Sequence, residues 1–298
     1  MISIIIPAFN HNTIHDAIIS VASQKISKLE IIIIDDSVST KIEKLINHNK
    51  YPMVRYYKNK KNIGTTLSRK RGIELAQGQY IGFLDDDDIM INNNLESKKK
   101  QLEVQYADFI FCNYIVYNKI INKKQKINLN QYESEFKKNI LYKPGPFLQC
   151  CLFQRDFILR FIQKFDKKAE PSEDWDFFIE LSKAQPIIKH CDVFGFEWRL
   201  SKQSQSFDYE KEMLALEYII NKHKIYMKNN SMKFLSLQYR KLGSMQYYLK
   251  KPNKAKTTFQ YAYKIYPLSI KNICLKITTI FPNRIYHWLM QKYVKKII

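Results

Sequence analysis

Four consecutive carboxylates, Asp85-Asp86-Asp87-Asp88, follow directly on the apolar run Tyr80-Ile81-Gly82-Phe83-Leu84. Carboxylates this crowded repel one another unless a cation or hydrogen bonds offset their charge. An all-oxygen ligand set suits a hard divalent cation such as Mg²⁺ or Mn²⁺. An ion held there could bridge the phosphates of a nucleotide and stabilise a departing diphosphate; a solvated acidic turn is the plainer alternative. Glu173-Asp174-Trp175-Asp176 is a second cluster, leading into apolar Phe177, Phe178 and Leu181. Charge at a helix N-terminus accounts for one of its carboxylates but not for three. A carboxylate facing a substrate could instead take the proton of an attacking hydroxyl.

Asp36, between Asp35 and Ser37, could accept a hydrogen bond from a nucleotide base or ribose, or cap a turn. Arg69 and Arg71 could meet phosphates or lie on a solvated helix face. The six histidines show no HExxH spacing, which argues against zinc. GxGxxG, GxxxxGK[ST] and GxSxG are all absent, which argues against Rossmann dehydrogenases, P-loop enzymes and α/β hydrolases. The five cysteines form no CxxC pair and are odd in number, so free thiols in a reducing compartment are expected.

The elements that must position these groups alternate in type. β-branched runs at 2–6, 29–34, 54–57 and 80–84 predict strands, apolar periodicity predicts a helix over 14–24, a polar helix is expected over 40–49, and a helix over 65–76 ends at Gly78. Strands and helices alternating in this way imply an α/β fold with a mostly parallel sheet covered on both faces. Ligands bind beyond the carboxyl ends of such strands. Asp35-Asp36 and Asp85–Asp88 should therefore meet at one edge. A further strand is expected over 107–118, an exposed loop or hairpin over 119–143, and helices over 155–163 and 173–184. From about 211 onward only helices are expected, with Leu242-Gly243, Ala255, Phe259, Ala262 and Pro267 spaced like one helix-turn-helix repeat.

The net charge of +21 is uneven. Residues 218–298 hold 17 Lys or Arg and no Asp or Glu, which leaves about +4 on the first 217. Such a region attracts anionic lipid or nucleic acid. The last stretch, Ile285–Ile298, mixes Ile, Trp and Leu with Lys292, Lys295 and Lys296, a composition suited to a membrane interface. No stretch has the roughly 18 apolar residues of a spanning helix, and the N-terminus has no basic n-region. A soluble or peripheral protein is expected.

In sequence order, these residues resemble family 2 glycosyltransferases of the GT-A fold. Ser3-Ile4-Ile5-Ile6-Pro7-Ala8-Phe9-Asn10 is similar to the family's first strand and Pro-x-Tyr-Asn turn, with Phe9 for Tyr. Glu30–Ser37 is similar to its second strand and Asp-Asp-x-Ser turn. Asn62-Ile63-Gly64, Ser68-Arg69, Gly72, Ala76 and Gly78-Gln79-Tyr80-Ile81 follow, then Phe83–Asp88 as the Asp-x-Asp element and Ser172–Trp175 as the Glu-Asp motif. The resemblance spans roughly residues 2–206. It implies a metal held by Asp87 with Asp85 assisting or touching the ribose. Pro7, Phe9 and Asp36 would line the base pocket, with Arg69, Asp85 and Asp86 also on the donor side, and Asp174 would be the catalytic base beside Glu173.

The implied reaction is metal-assisted transfer with inversion, from a nucleotide sugar, UDP-linked by preference, to a glycan or lipid-linked glycan. Residues 1–110 would bind the donor, 111–210 the acceptor, and the basic helical region 211–298 an anionic membrane surface. The expected location is the cytoplasm, peripheral at the inner face of the membrane. One departure is Arg199-Leu200-Ser201-Lys202-Gln203-Ser204, where Ser201 stands in the place of the family's His and Lys202 could partly replace it. Two rivals remain. A sugar nucleotidyltransferase should carry a Gly-rich loop after the first strand, and Pro7–Asn12 has no Gly. In a non-enzymatic nucleic-acid binder, Tyr247, Tyr248, Tyr261 and Tyr263 could stack on bases, the acidic cluster would be idle, and no specific nucleic acid is otherwise expected.

Overall fold

The computed structural model describes residues 1–46, 49–201, 208–281 and 283–294. Lys202, Lys295, Lys296 and the side chain of Lys292 lie outside the described residues. The chain divides into two compact units. The first comprises residues 1–140, 144–167 and 173–204, and the second comprises 141–143, 168–172 and 205–298.

The first unit begins with β1 (Ile2–Ala8), α1 (Ile14–Ala22), β2 (Leu29–Asp35), α2 (Lys41–Leu45), β3 (Val54–Lys58), α3 (Thr65–Leu75) and β4 (Tyr80–Phe83). These match the strand and helix positions read from the sequence, except that the helix expected over 40–49 ends at Leu45, and Ile46 after it is extended. It continues with β5 (Ile89–Met90), α4 (Asn94–Gln105), β6 (Phe109–Asn118) and β7 (Lys123–Ile127). α5 (Gln131–Ser134), α6 (Phe136–Tyr142), β8 (Cys151–Gln154), α7 (Arg155–Arg160), α8 (Glu173–Lys183) and β9 (Ile188–Leu200) complete the series. The segment 119–143, expected as a loop or hairpin, forms a β6–β7 hairpin followed by two short helices. Tyr132, Phe136 and Ile140 are buried there, and apolar anchoring of this kind orders a polar stretch that shows little periodicity.

The sheet has nine strands in the order β3-β2-β1-β4-β8-β6-β9-β5, with β7 on β6. β3, β2, β1 and β4 run parallel. β8 is antiparallel to both β4 and β6, and β6 runs parallel to β9. Every residue of β1 is buried, as expected for a central strand covered on both faces. α1 faces the sheet with Ile14, Ala17, Ile18 and Val21. α3 differs, burying Thr66, Ser68 and Arg69 beside Gly72 and Ile73. A Cβ on Gly72 would come within 2.4 Å of Ile5, so glycine lets the helix lie close on β1.

The second unit contains α9 (Tyr209–Asn230), α10 (Met232–Tyr248), α11 (Pro252–Ile265), α12 (Ile270–Ile280) and α13 (Asn283–Val294). Its core gathers Ala255, Phe259, Leu275, Tyr286 and Met290, flanked by Tyr247 and Tyr293. A Cβ on Gly243 would meet the Phe259 ring at 2.6 Å, which explains the small residue in α10 opposite a large one in α11. Among the described residues no helix is long and apolar enough to cross a membrane.

Candidate active site

Because β1, β2 and β4 are parallel, the segments beyond their carboxyl ends meet at one edge. The Asp36 N–H donates to Ala8 O (2.9 Å), and the Leu84 N–H to Ile5 O (3.1 Å). Pro7 is buried within β1, opposite Ile34, while the Phe9 ring beyond the strand is exposed. Asp36 accepts from Asn59 Nδ2 (2.7 Å) and from the backbone N–H groups of Ile63 and Gly64 (2.8 Å each). Gly64 has φ 93°, a conformation that favours glycine, and it starts α3. Asp36 thus anchors the turn that aims α3 at the edge.

α3 delivers Arg69 into the centre, where it is only 3% exposed. Its Nη2 donates to Asp85 Oδ1 (2.7 Å), and its Nη1 to Glu173 Oε1 (2.7 Å) and Asp174 Oδ1 (3.2 Å). One guanidinium therefore holds both acidic motifs. Burial works against its charge, but Asp85, Asp174 and Glu173 outweigh burial and raise the Arg69 pKa above its ordinary value. Arg71, two residues on, points away and donates to Lys58 O (2.9 Å) and Asn59 Oδ1 (2.5 Å).

The four carboxylates of the acidic turn have different surroundings. Asp85 Oδ2 accepts from Gln149 Nε2 (2.6 Å). Asp86 accepts from the Phe9 N–H (2.8 Å) and lies 2.8 Å from His11 Nδ1. This hydrogen bond raises the His11 pKa, with burial offsetting part of the effect. Asp88 accepts from the Arg199 N–H (2.8 Å), which ties the segment leading to Ser201 to the acidic turn. Burial, then Asp87 and Asp85, push Asp88 well above the usual carboxylate range. Among the described residues no other residue donates a hydrogen bond to the Asp87 carboxylate. Burial foremost, then Asp85 and Asp86, push its pKa up to about 6.

Asp174 lies at the start of α8, and its Oδ2 accepts the Leu148 N–H (2.8 Å). Burial raises its pKa, and the opposing charge of Arg69 and the Leu148 N–H offset this only in part. Phe147, next to Leu148, packs against Tyr114 and Trp198, with ring centroids 5.3 and 5.1 Å apart. These three rings are half-buried. The backbone donor to Asp174 is thus adjacent in the chain to this aromatic cluster.

Arg69 brings Asp85, Glu173 and Asp174 together, with Asp87 in the same acidic turn, Asp86 bound to the β1 loop and Asp36 holding the turn before α3. The sequence reading missed His11, Gln149 and the Leu148 N–H. Only the acidic run itself, which needs donors, could have pointed to them. Arg69 Nε and Gln149 Oε1 are buried with no partner among the described residues. Such atoms in a polar site call for a bound molecule or water. Among the described residues no three His, Cys, Asp or Glu side chains are grouped so as to hold a metal alone.

Residues 3–162 match the family described as "Glycosyl transferase family 2". An uncharacterized glycosyltransferase of Haemophilus influenzae is 33% identical over 120 residues, 38% of this chain and 48% of that protein. A UDP-Glc:alpha-D-GlcNAc-diphosphoundecaprenol beta-1,3-glucosyltransferase of Escherichia coli, WfgD, is 27% identical over 72% of this chain and 82% of its own length. The match to the first four curated relatives spans less than half of each, from 48% down to 16%. The crystal structure of S. aureus TarS 1-349 in complex with UDP-GlcNAc superposes with a TM-score of 0.64 at 13% identity, over 99% of this chain and 90% of that one. That likeness establishes the fold, GT-A.

Proposed function

Because this chain belongs to glycosyl transferase family 2, we propose that it moves a sugar from a nucleoside-diphosphate sugar to a hydroxyl of a growing surface glycan, with inversion. The observation that carries this reading is Arg69. It joins Asp85, at the end of a donor-side strand, to Glu173 and Asp174, about a hundred residues further along the chain.

Residues 1–110 bind the donor in this reading and 111–210 the acceptor. Pro7, Phe9 and Asp36 flank the base, and Asp86 holds the Phe9 backbone in place. Asp174 takes the proton of the acceptor hydroxyl, and its raised pKa makes it a better base than an ordinary carboxylate. The acceptor oxygen bonds to the anomeric carbon as the bond from that carbon to the diphosphate oxygen breaks, and the diphosphate leaves with the electron pair. Arg69 keeps Asp174 and Asp85 at fixed separation. Phe147 and Trp198 offer apolar faces to an acceptor sugar and exclude water from the base.

Asp87 and Asp85 fit a divalent cation shared with the donor. Two carboxylates suit Mg²⁺ or Mn²⁺ when phosphate oxygens and water supply the remaining ligands. Bound there, such an ion would offset the charge of the departing diphosphate. The reaction named for WfgD supports a UDP-linked donor and a lipid-diphosphate acceptor for this chain. An acceptor of that kind would bring the enzyme to the inner face of the cytoplasmic membrane.

Thermal stability measured with UDP, GDP, TDP and CMP, each with Mn²⁺ or with EDTA, tests the donor site. A nucleotide at a hundred times its dissociation constant should add about 2.7 kcal/mol. UDP with Mn²⁺ is expected to give that shift in the native chain and little in Asp87→Ala. No shift with any nucleotide, or an equal shift in Asp87→Ala, would overturn the reading.

A further inference from the structure

α12 buries two polar residues beside one leucine and exposes a row of isoleucines. Asn272, Leu275 and Thr279 face inward, and Ile270, Ile273, Ile277 and Ile280 face out, with Phe281 beyond the helix end. At 3.6 residues per turn these outward positions form one continuous stripe. Ile270 is 77% exposed and Ile280 is 72% exposed. The orientation is held by hydrogen bonds. Asn272 Nδ2 donates to Ser236 Oγ (2.7 Å), Tyr266 O (2.6 Å) and Ala262 O (3.2 Å), and its Oδ1 accepts from Arg240 (2.9 Å). Rolling the helix to hide its isoleucines would leave that buried amide without partners. α13 buries Tyr286 and Met290 in the core and leaves Ile285 and Trp288 exposed.

We propose that the outward face of α12, with Ile285 and Trp288 of α13, docks on an anionic phospholipid bilayer. Soluble proteins rarely leave a contiguous apolar stripe of this kind uncovered. Charge complementarity selects the occupant. From residue 218 to 298 the chain carries 17 Lys or Arg and no acidic residue. Lys271 and Lys276 border the stripe on the same helix. Lysine is depleted from protein–protein interfaces but favours the headgroup zone, where its stem lies on apolar surface and its ammonium meets lipid phosphate. A surface helix with aliphatic residues on one side, basic borders and a neighbouring tryptophan has the composition of an interfacial element. No described helix is long and apolar enough to span, so the contact would lie along the bilayer plane.

Flotation of the full chain with vesicles tests this without any nucleotide or acceptor, so its outcome is separate from that of the donor-site reading. Phosphatidylglycerol–phosphatidylethanolamine vesicles are expected to carry the native chain upward. Pure phosphatidylcholine vesicles, or high salt, should carry much less. Ile277→Ser with Ile280→Ser should weaken binding roughly tenfold or more, because apolar burial is lost while charge is unchanged. The tryptophan emission should shift to the blue on vesicles in the native chain and far less in Trp288→Phe. An unchanged melting curve for the double variant would show that it folds. A native chain that stays in solution with anionic vesicles, or a double variant that floats equally well, would overturn the proposal. So would a concentration-dependent dimer that the double variant abolishes, since the stripe would then be covered by a second copy.

Discussion

Glu30 and Asp87 are both carboxylates at the ends of the same parallel sheet, and their surroundings are opposite. At the amino end, Glu30 accepts from Ser3 Oγ (2.5 Å), Arg55 Nη1 (2.8 Å) and the N–H groups of Gln77 (2.6 Å) and Gly78 (3.1 Å). Burial alone would raise its pKa, but those donors hold it below the ordinary value. At the carboxyl end, burial and two neighbouring carboxylates push Asp87 up to about 6. A carboxylate that the fold neutralises serves the fold. One left with excess negative charge at a ligand edge is ready for a cation or a substrate.

The largest break in that comparison should come from Asp174→Asn. Removing a general base typically costs 10²- to 10⁴-fold in rate. Turnover should fall by about that factor while the UDP–Mn²⁺ thermal shift persists; a loss smaller than about tenfold would remove Asp174 from the base role. At the other end of the sheet, Glu30→Ala strips four donors of their acceptor. Urea unfolding should show a loss of about 2–4 kcal/mol with no specific effect on nucleotide affinity.

Asp87→Asn should act in the opposite sense on stability. It removes a charge that the metal-free fold holds at a cost, and should stabilise the chain at pH 7 by about 1–2 kcal/mol while abolishing the metal-dependent nucleotide shift. The smallest effect is in the pH profile. Because the Asp87 pKa is raised from 3.8 to about 6, its favourable protonated contribution is present below the ordinary value and is lost as pH rises through about 6. Glu30, lowered, contributes above its ordinary value and loses that contribution as pH falls through the folded one. Melting temperatures of native chain and Asp87→Asn should therefore converge as pH falls from 7 toward 4. Parallel curves would show that the Asp87 environment imposes no such cost.

Strand and helix positions were readable where apolar residues fill an element. β1 and β2 each carry four isoleucines in seven residues, and α1 keeps its apolar residues at helical spacing. Reading failed at 131–142, where two short helices form because Tyr132, Phe136 and Ile140 reach a core that the local pattern does not indicate. Asp85, Asp87 and Asp174 stood out because runs of acid after a strand or before a helix are conspicuous. Gln149 and the Leu148 N–H did not, since a neutral amide and a main-chain donor carry no sequence signal.

The amino-acid sequence by itself determined the order of strands and helices over residues 2–84, the edge at which the acidic turns meet and the basic character of the C-terminal region. These depend on period, strand direction and composition, all of them local or additive. Only the tertiary structure decided that Arg69 is buried between two acidic motifs rather than solvated on a helix. It alone decided which of four adjacent aspartates is left without a donor, and that α12 turns its isoleucines outward. Each of those outcomes depends on partners far away in the chain, and the free energy of a buried charge is set by the groups that surround it in space.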